Sequence, residues 1–240
     1  MLPSFFYDGP LCEGEKILLD ESTVRHVVQV LRMRESERLL LTDGLGVTAE
    51  AVIVEAGKKS CFVMVQAVLR SAPKFPALHL CIAFTKNASR NEWLLEKAVE
   101  LGVRRITPLI TVRSEKMHAK PERWRGILIS AMLQSQQTFL PELTTSQSLE
   151  VALKAIEGGA LGLLAHCVAT RPRLPLSSVL QKGQNASLLI GPEGDFTPEE
   201  ISLAEAAGCT SVSLGNTRLR TETAALAACA LYHLVNDETV

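Results

Sequence analysis

From Leu78 onward, short apolar runs alternate with capped helical segments, and that alternation leaves one main choice of architecture. Leu78–Phe84, Arg105–Thr111, Ala160–Ala165, Ser187–Ile190 and Val212–Leu214 read as buried strands. The segments between them read as helices. Ser89 and Glu92 have the spacing of a capping box and open a helix through Leu101, with Gly102 as its stop. Pro121 starts a helix whose Trp124, Ile127, Leu128 and Ala131 share one face, and Ser148–Ile156 is a shorter one. Thr197-Pro198-Glu199-Glu200 joins a capping box to a proline at the first helical position, and an alanine-rich helix runs from about Thr221 to Val235. Strands separated by helices pair in parallel, and a parallel sheet must be covered on both faces. The expected class is therefore α/β over residues 78–240.

The first 72 residues have another grain. Arg38–Thr42, Val47–Val54 and Cys61–Leu69 are β-rich runs broken by Asp43-Gly44 and Gly57-Lys58-Lys59, the pattern of a small barrel or sandwich. One helix interrupts them. From Glu21 to Leu31, helical spacing aligns Val24, Val27, Val28 and Leu31, and gathers Arg25, Gln29 and Arg32 on the opposite face, with His26 beside them and Arg34 just beyond. Such a face is either solvated or a set of phosphate contacts. A proline-bearing stretch at 73–77 reads as the linker between the two domains.

A formal net charge of −1 excludes wholesale attraction to nucleic acid, so any such contact must be local. Six cysteines scattered without CxxC or Cys/His spacing speak against a disulfide framework or a metal site and fit a reducing cytoplasm. The first ten residues lack the layout of a signal peptide, and no apolar run approaches the ~20 residues of a membrane span. The expectation is a cytoplasmic protein with no membrane and no metal.

Chemistry concentrates between Leu188 and Ala224. Two short turns, Gly191-Pro192-Glu193-Gly194 and Leu214-Gly215-Asn216, each follow an apolar run and precede a helical signal. Open α/β sheets bind ligands at such strand ends. Neither GxGxxG nor GxxxxGK[ST] is present, and Glu193 and Asp195 would repel a phosphate placed on the following helix. A nucleoside triphosphate or NAD is thereby disfavoured. Two readings stay open from the residues alone: turns that are only structural, or a site for a ligand with hydroxyls, an adenine edge and a positive centre, such as S-adenosylmethionine.

GPEG after a strand, followed by LGNTRLRTETA, resembles the C-terminal signature of the 16S ribosomal RNA uracil-N3 methyltransferases, within the SPOUT superfamily of knotted methyltransferases. RHVVQVLRMR, TKNASRNEWLLEKAVELGV and QSQQTFLPEL resemble that family's other motifs, so the likeness spans nearly the whole chain. Three positions depart from the family pattern: Asp195 where a second glycine follows GPEG, Arg218 where isoleucine precedes LRTETA, and Gln137 where a basic residue is common.

The resemblance implies a mainly parallel sheet with a trefoil knot, preceded by a PUA-like RNA-binding β-barrel, and a homodimer packed through the knotted domain. It implies that S-adenosylmethionine lies between three loops, Leu164 to Val168 (with Leu164, Ala165 and His166), the Gly191-Pro192-Glu193-Gly194 turn, and Leu214 to Leu219 (with Leu214, Gly215, Asn216 and Leu219). The methyl group would pass to N3 of a uridine in 16S rRNA of the small ribosomal subunit. Arg220 is the first candidate for stabilising charge on the uracil, with a structural ion pair to Glu222 or Glu193 as the competing role. Glu193 and Glu222 are candidate proton acceptors or orienting groups. Arg25, His26, Arg32 and Arg34 from the first domain, and Lys86, Arg90 and Lys97 from the second, are candidate RNA contacts. A related methyltransferase acting on another RNA or base, a binding protein without catalysis, and a nucleotide-dependent enzyme are the competing functions.

Overall fold

The computed structural model describes residues 2–115, 119–156 and 158–237. The chain divides into two compact units, Met1–Pro73 with Met132–Leu140, and Lys74–Ala131 with Pro141–Val240.

The first unit holds β1 (Ser4–Phe6), β2 (Lys16–Leu18), α1 (Glu21–Val24), β3 (Arg38–Thr42), β4 (Val47–Ala56) and β5 (Cys61–Arg70). Its strands follow the order β1-β3-β4-β5-β2, with β1 parallel to β3 and the other pairs antiparallel. Among the described residues β1 and β2 are the two ends of this path. Two register shifts in β4 bend the sheet. Its buried face packs Phe5, Ile17, Leu39, Leu41, Ile53 and Val63. The strands β1 and β2 are too short, at three residues each, to carry a periodic signal.

The helix expected over Glu21–Leu31 starts as such, with Asp20 accepting hydrogen bonds from the Ser22 and Thr23 amides, and then widens into a π-helical turn over Arg25–Val30. Leu31 N donates to His26 O, five residues back. That extra residue per turn rotates Leu31 off the stripe of buried Val24 and Val27, leaving it 43% exposed. Arg32 then adopts a left-handed φ of 55°, so it does not share a helix face with Arg25 and Gln29.

The segment Met132–Leu140, which the sequence pattern leaves in the second domain, belongs to the first unit. Gly46 N donates to Thr138 O, Leu140 N donates to Gly44 O, and Leu45 bridges Phe139. These bonds satisfy backbone groups of the Asp43–Gly46 turn.

The second unit contains β6 (Leu78–Ile82), α2 (Ala88–Glu100), β7 (Arg105–Ile110), α3 (Pro121–Gln134, whose last turn leads into the shared segment), β8 (Glu142–Leu143), β9 (Gln147–Ser148), α4 (Leu149–Lys154), β10 (Leu161–Ala165), β11 (Leu174–Pro175), α5 (Leu176–Val179), β12 (Ala186–Ile190), α6 (Pro198–Ala206), β13 (Thr210–Ser213) and α7 (Thr221–Asn236). Every strand pair is parallel, in the order β11-β13-β10-β12-β6-β7-β8, with β9 also on β7. Cys81, Leu164 and Leu189 pack with α4 and α6 on one face. The alternate residues Leu80, Ile82, Leu163 and Leu188 are as fully buried and turn to the other face, where α7 packs on β6, β12 and α2. The C-terminal helix thus returns to the strand that began the unit. No described helix is long and apolar enough to cross a membrane.

One part-buried group gives this unit a pH dependence. His79 Nε2 lies 2.8 Å from Thr107 Oγ1, and burial pushes its pKa down to about 4. Below pH ~6.5 the unfolded chain takes up a proton that the folded chain refuses until about pH 4. Stability should therefore fall as pH drops through that window, by roughly 1–3 kcal/mol for this group. Urea unfolding at pH 7 and pH 5 measures it, and a His79→Gln variant should show a shallower slope.

Candidate functional site

Strands β10, β12 and β13 lie side by side, with Ala165 paired to both Ile190 and Val212. Their C-terminal loops converge on one cavity of about 580 Å³, within the range of small-molecule sites. Ala165, Ile190 and Val212 form its apolar base. The loop after β10 contributes His166, Cys167 and Arg173, and the loop after β12 contributes Gly191, Pro192, Glu193 and Asp195. The loop after β13 contributes Leu214, Gly215 and Thr217 to Arg220, continuing into Thr221 and Ala224 of α7.

Local sequence explains why these loops hold their shape. A side chain at Gly191 would come within 3.0 Å of the Phe196 ring and 3.2 Å of the Phe196 amide, so the close approach requires glycine. Gly215 has a φ of 119°, which other residues rarely adopt. Downstream of the first turn, the expected capping box is formed: Thr197 Oγ1 accepts from Glu200 N and Glu200 Oε2 from Thr197 N. The other Glu200 oxygen accepts from Val112 N, and Arg113 Nη1 donates to Gly194 O at 2.6 Å. The segment after β7 therefore braces the turn from behind.

Of the residues singled out from the sequence, Ala165, His166, Gly191, Pro192, Glu193, Leu214, Gly215, Leu219 and Arg220 line the cavity. Leu164 is fully buried in the core beneath it. Gly194 and Asn216 lie outside the lining, Gly194 because it faces the Arg113 side chain. Glu222 also lies outside the lining and is buried at the first turn of α7.

The charges sort into paired and free groups. Arg90 bridges two carboxylates, with Nη1 3.4 Å from Glu193 Oε1 and Nε 3.5 Å from Glu222 Oε1. Its place at the start of α2 is set by Asn87, which caps the helix through the Ser89 and Arg90 amides, in place of the expected Ser89 box. Buried Asn91 locks the preceding turn through Thr85 N and Thr85 O. Arg173 donates to His166 O at 2.8 Å. Arg220 and Arg218 are exposed, line the cavity, and make no side-chain hydrogen bond or ion pair among the described residues. The pairing of Arg220 with Glu193 or Glu222, weighed from the sequence, is thus taken by Arg90 instead.

Three buried side-chain polar atoms lack partners among the described residues, Gln147 Oε1, His166 Nε2 and Glu222 Oε2. The His166 ring is 4% exposed, its Nδ1 accepts from Val168 N, and burial lowers its pKa. A neutral ring whose Nδ1 accepts carries its proton on Nε2, which leaves a buried donor in the cavity wall for a ligand acceptor.

The remaining basic candidates are dispersed. Arg25 pairs with Glu21, Lys97 pairs with Glu96 and Glu100, and His26 stacks edge-on against Phe5. Arg32, Arg34 and Lys86 are exposed. Among the described residues there is no cluster of three or more His, Cys, Asp or Glu that could hold a metal ion. Cys167 and Thr217 line the cavity within the loops that the resemblance implied, whereas sequence reasoning missed Arg173 and Thr221 as lining residues. Thr221 sits inside the motif already singled out, whereas Arg173 follows β10, where no glycine turn marks the loop.

Residues 73–233 match the family model of an RNA methyltransferase domain, and residues 19–65 match that of an RNA methyltransferase PUA domain. The fold is similar to a probable rRNA-methyltransferase from Porphyromonas gingivalis, at 37% identity and a TM-score of 0.90 over 98% of both chains. It is also similar to the ribosomal RNA small subunit methyltransferase E of Neisseria gonorrhoeae bound to S-adenosyl methionine, at 29% identity and a TM-score of 0.86 over 98% of both chains. A curated relative of the same name, from Mycobacterium bovis, is 29% identical over 95% of this chain and 90% of its own length.

Proposed function

Because this chain belongs to the RNA methyltransferase family, we propose that it transfers a methyl group from S-adenosyl-L-methionine to N3 of a specific uridine in 16S rRNA of the small ribosomal subunit. A nucleoside-sized cavity with the free guanidinium of Arg220 at its edge carries this reading. The Gonorrhoea-bacterium neighbour's bound cofactor and name support the donor and the RNA, and the PUA match supports RNA binding by the first unit.

The residues fit such a donor. The cavity is large enough for a nucleoside, its base is apolar, and His166 Nε2 presents an unmet donor to an acceptor atom. Glu193 places a carboxylate in the lining, which suits a cationic ligand better than a phosphate. When bound, S-adenosylmethionine supplies an electrophilic methyl group on a positively charged sulfur. The protein's part is positioning and electrostatics. Arg220 is placed to neutralise charge at uracil O2 or O4 as the N3 proton leaves. Glu193, exposed at the cavity wall, is the carboxylate open to a proton in transit, while Glu222 holds Arg90 from within.

Substrate RNA is engaged by Arg218 at the cavity, by Lys86 beside α2, and by Arg25, His26, Arg32 and Arg34 of the first unit. The working enzyme is a cytoplasmic homodimer joined through the methyltransferase domain. Incubating the protein with labelled S-adenosylmethionine and small subunits from cells lacking the modification, followed by nucleoside mass spectrometry, tests the reading. The expected product is 3-methyluridine. A different methylated nucleoside would move the target base, and no labelled RNA at all would overturn the assignment.

A further inference from the structure

Asp195 stands out among the cavity residues by its backbone and by what its carboxylate does. Its φ is 63°, a left-handed conformation that suits glycine best and in which aspartate is one of the few tolerated side chains. Both carboxylate oxygens are engaged with main-chain donors. Oδ1 accepts from Phe196 N at 2.8 Å, and Oδ2 accepts from Cys167 N at 2.6 Å across to the loop after β10. The first bond fixes the carboxylate on its own loop, and the second ties that loop to its neighbour. Residues 166 and 167 after β10, and 191 to 193 after β12, both line the cavity. Arg113 holds the far side of the same turn through Gly194 O.

We propose that Asp195 is a positioning residue that latches the loop after β10 to the loop after β12, so that the cavity is formed before the methyl donor arrives. This rests on the reading of the cavity as the donor site. A latch between two walls reduces the ordering that binding would otherwise require, and affinity rises by that saving. The negative charge is a separate matter. A carboxylate committed to two amides acts through the loops it joins, and its effect does not depend on the charge of the ligand.

Asp195→Gly tests this directly, because glycine suits the backbone and the variant should fold. Calorimetric titration with S-adenosylmethionine and with S-adenosylhomocysteine, which lacks the sulfonium charge, separates the two roles. The latch predicts about a tenfold loss of affinity for both ligands, with faster hydrogen exchange at the Cys167 amide and an unchanged melting temperature. Asp195→Asn, which keeps one acceptor oxygen, should recover part of that loss. Wild-type affinity for both ligands in Asp195→Gly would overturn the proposal, as would a loss confined to the charged ligand. Failure of the unaltered protein to bind either ligand would instead remove the donor-site reading on which the proposal depends.

Discussion

Replacing Arg220 with alanine should lower turnover about a hundredfold or more, equivalent to roughly 3–4 kcal/mol of transition-state stabilisation, while donor affinity changes by less than about twofold. The asymmetry follows from where Arg220 sits. It occupies the N-cap position of α7 but makes no capping bond with its side chain, so its removal costs the helix little. Its guanidinium has no carboxylate partner among the described residues, so no ion pair is broken either. What is lost is a positive charge at the edge of the cavity, needed only when negative charge builds on the base. Arg220→Lys should recover part of the rate, since an ammonium keeps the charge but not the planar fork. Single-turnover kinetics with saturating donor measure the effect. An Arg220→Ala enzyme with normal turnover would remove the assigned role.

The second large effect is expected at Arg90, and in stability as much as in activity. Arg90 is the cation beside Oε1 of buried Glu222, whose other oxygen, Oε2, has no hydrogen-bond partner among the described residues. An Arg90→Met variant strands that carboxylate. Removing one partner of a fully buried pair costs about 3–5 kcal/mol. Arg90 is 31% exposed and 3.5 Å from its partner, so about 1–3 kcal/mol is the fitting expectation here. For a unit of this size that lowers the melting temperature by several degrees. A second change, Glu222→Leu, should return much of the lost stability by removing the stranded charge, although donor binding stays impaired because Glu193 has lost its tether. Equal melting temperatures for Arg90→Met and the unaltered protein would mean that the bridge contributes nothing. A role for Arg90 limited to RNA contact predicts that outcome, which makes the measurement decisive between the two.

The longer strands and helices of the second unit were legible because their apolar runs are long enough to show a pattern and the helices carry start or stop chemistry, whereas β8, β9 and β11, at two residues each, and the four-residue α5 left no periodic signal. Thr197 and Glu200 are the clearest case: a local motif formed as its spacing foretells. The region around Arg25–Val30 was not legible, because a π-helical turn and an α-helical turn share the same local composition and only the register of buried Val27 against exposed Leu31 tells them apart. The candidate site was legible as a place but only partly as chemistry. Gly191 and Gly215 announce the loops, yet which carboxylate takes which arginine depends on residues a hundred positions apart, such as Arg90 and Glu193. Asp195 reads from the sequence as an obstacle beside a turn. Its bond to the Cys167 amide can be seen only when β10 and β12 are neighbours.

The discontinuity of the first unit bears on how the protein is made. The strands β1 to β5 leave the ribosome early, but Thr138 and Leu140, which satisfy Gly46 and Gly44, emerge only after Lys74–Ala131 has been translated. During that interval the nascent N-terminal sheet carries an unfinished turn with free backbone donors and acceptors. Completion of the first unit's Asp43–Gly46 turn therefore waits on synthesis of the first third of the second unit.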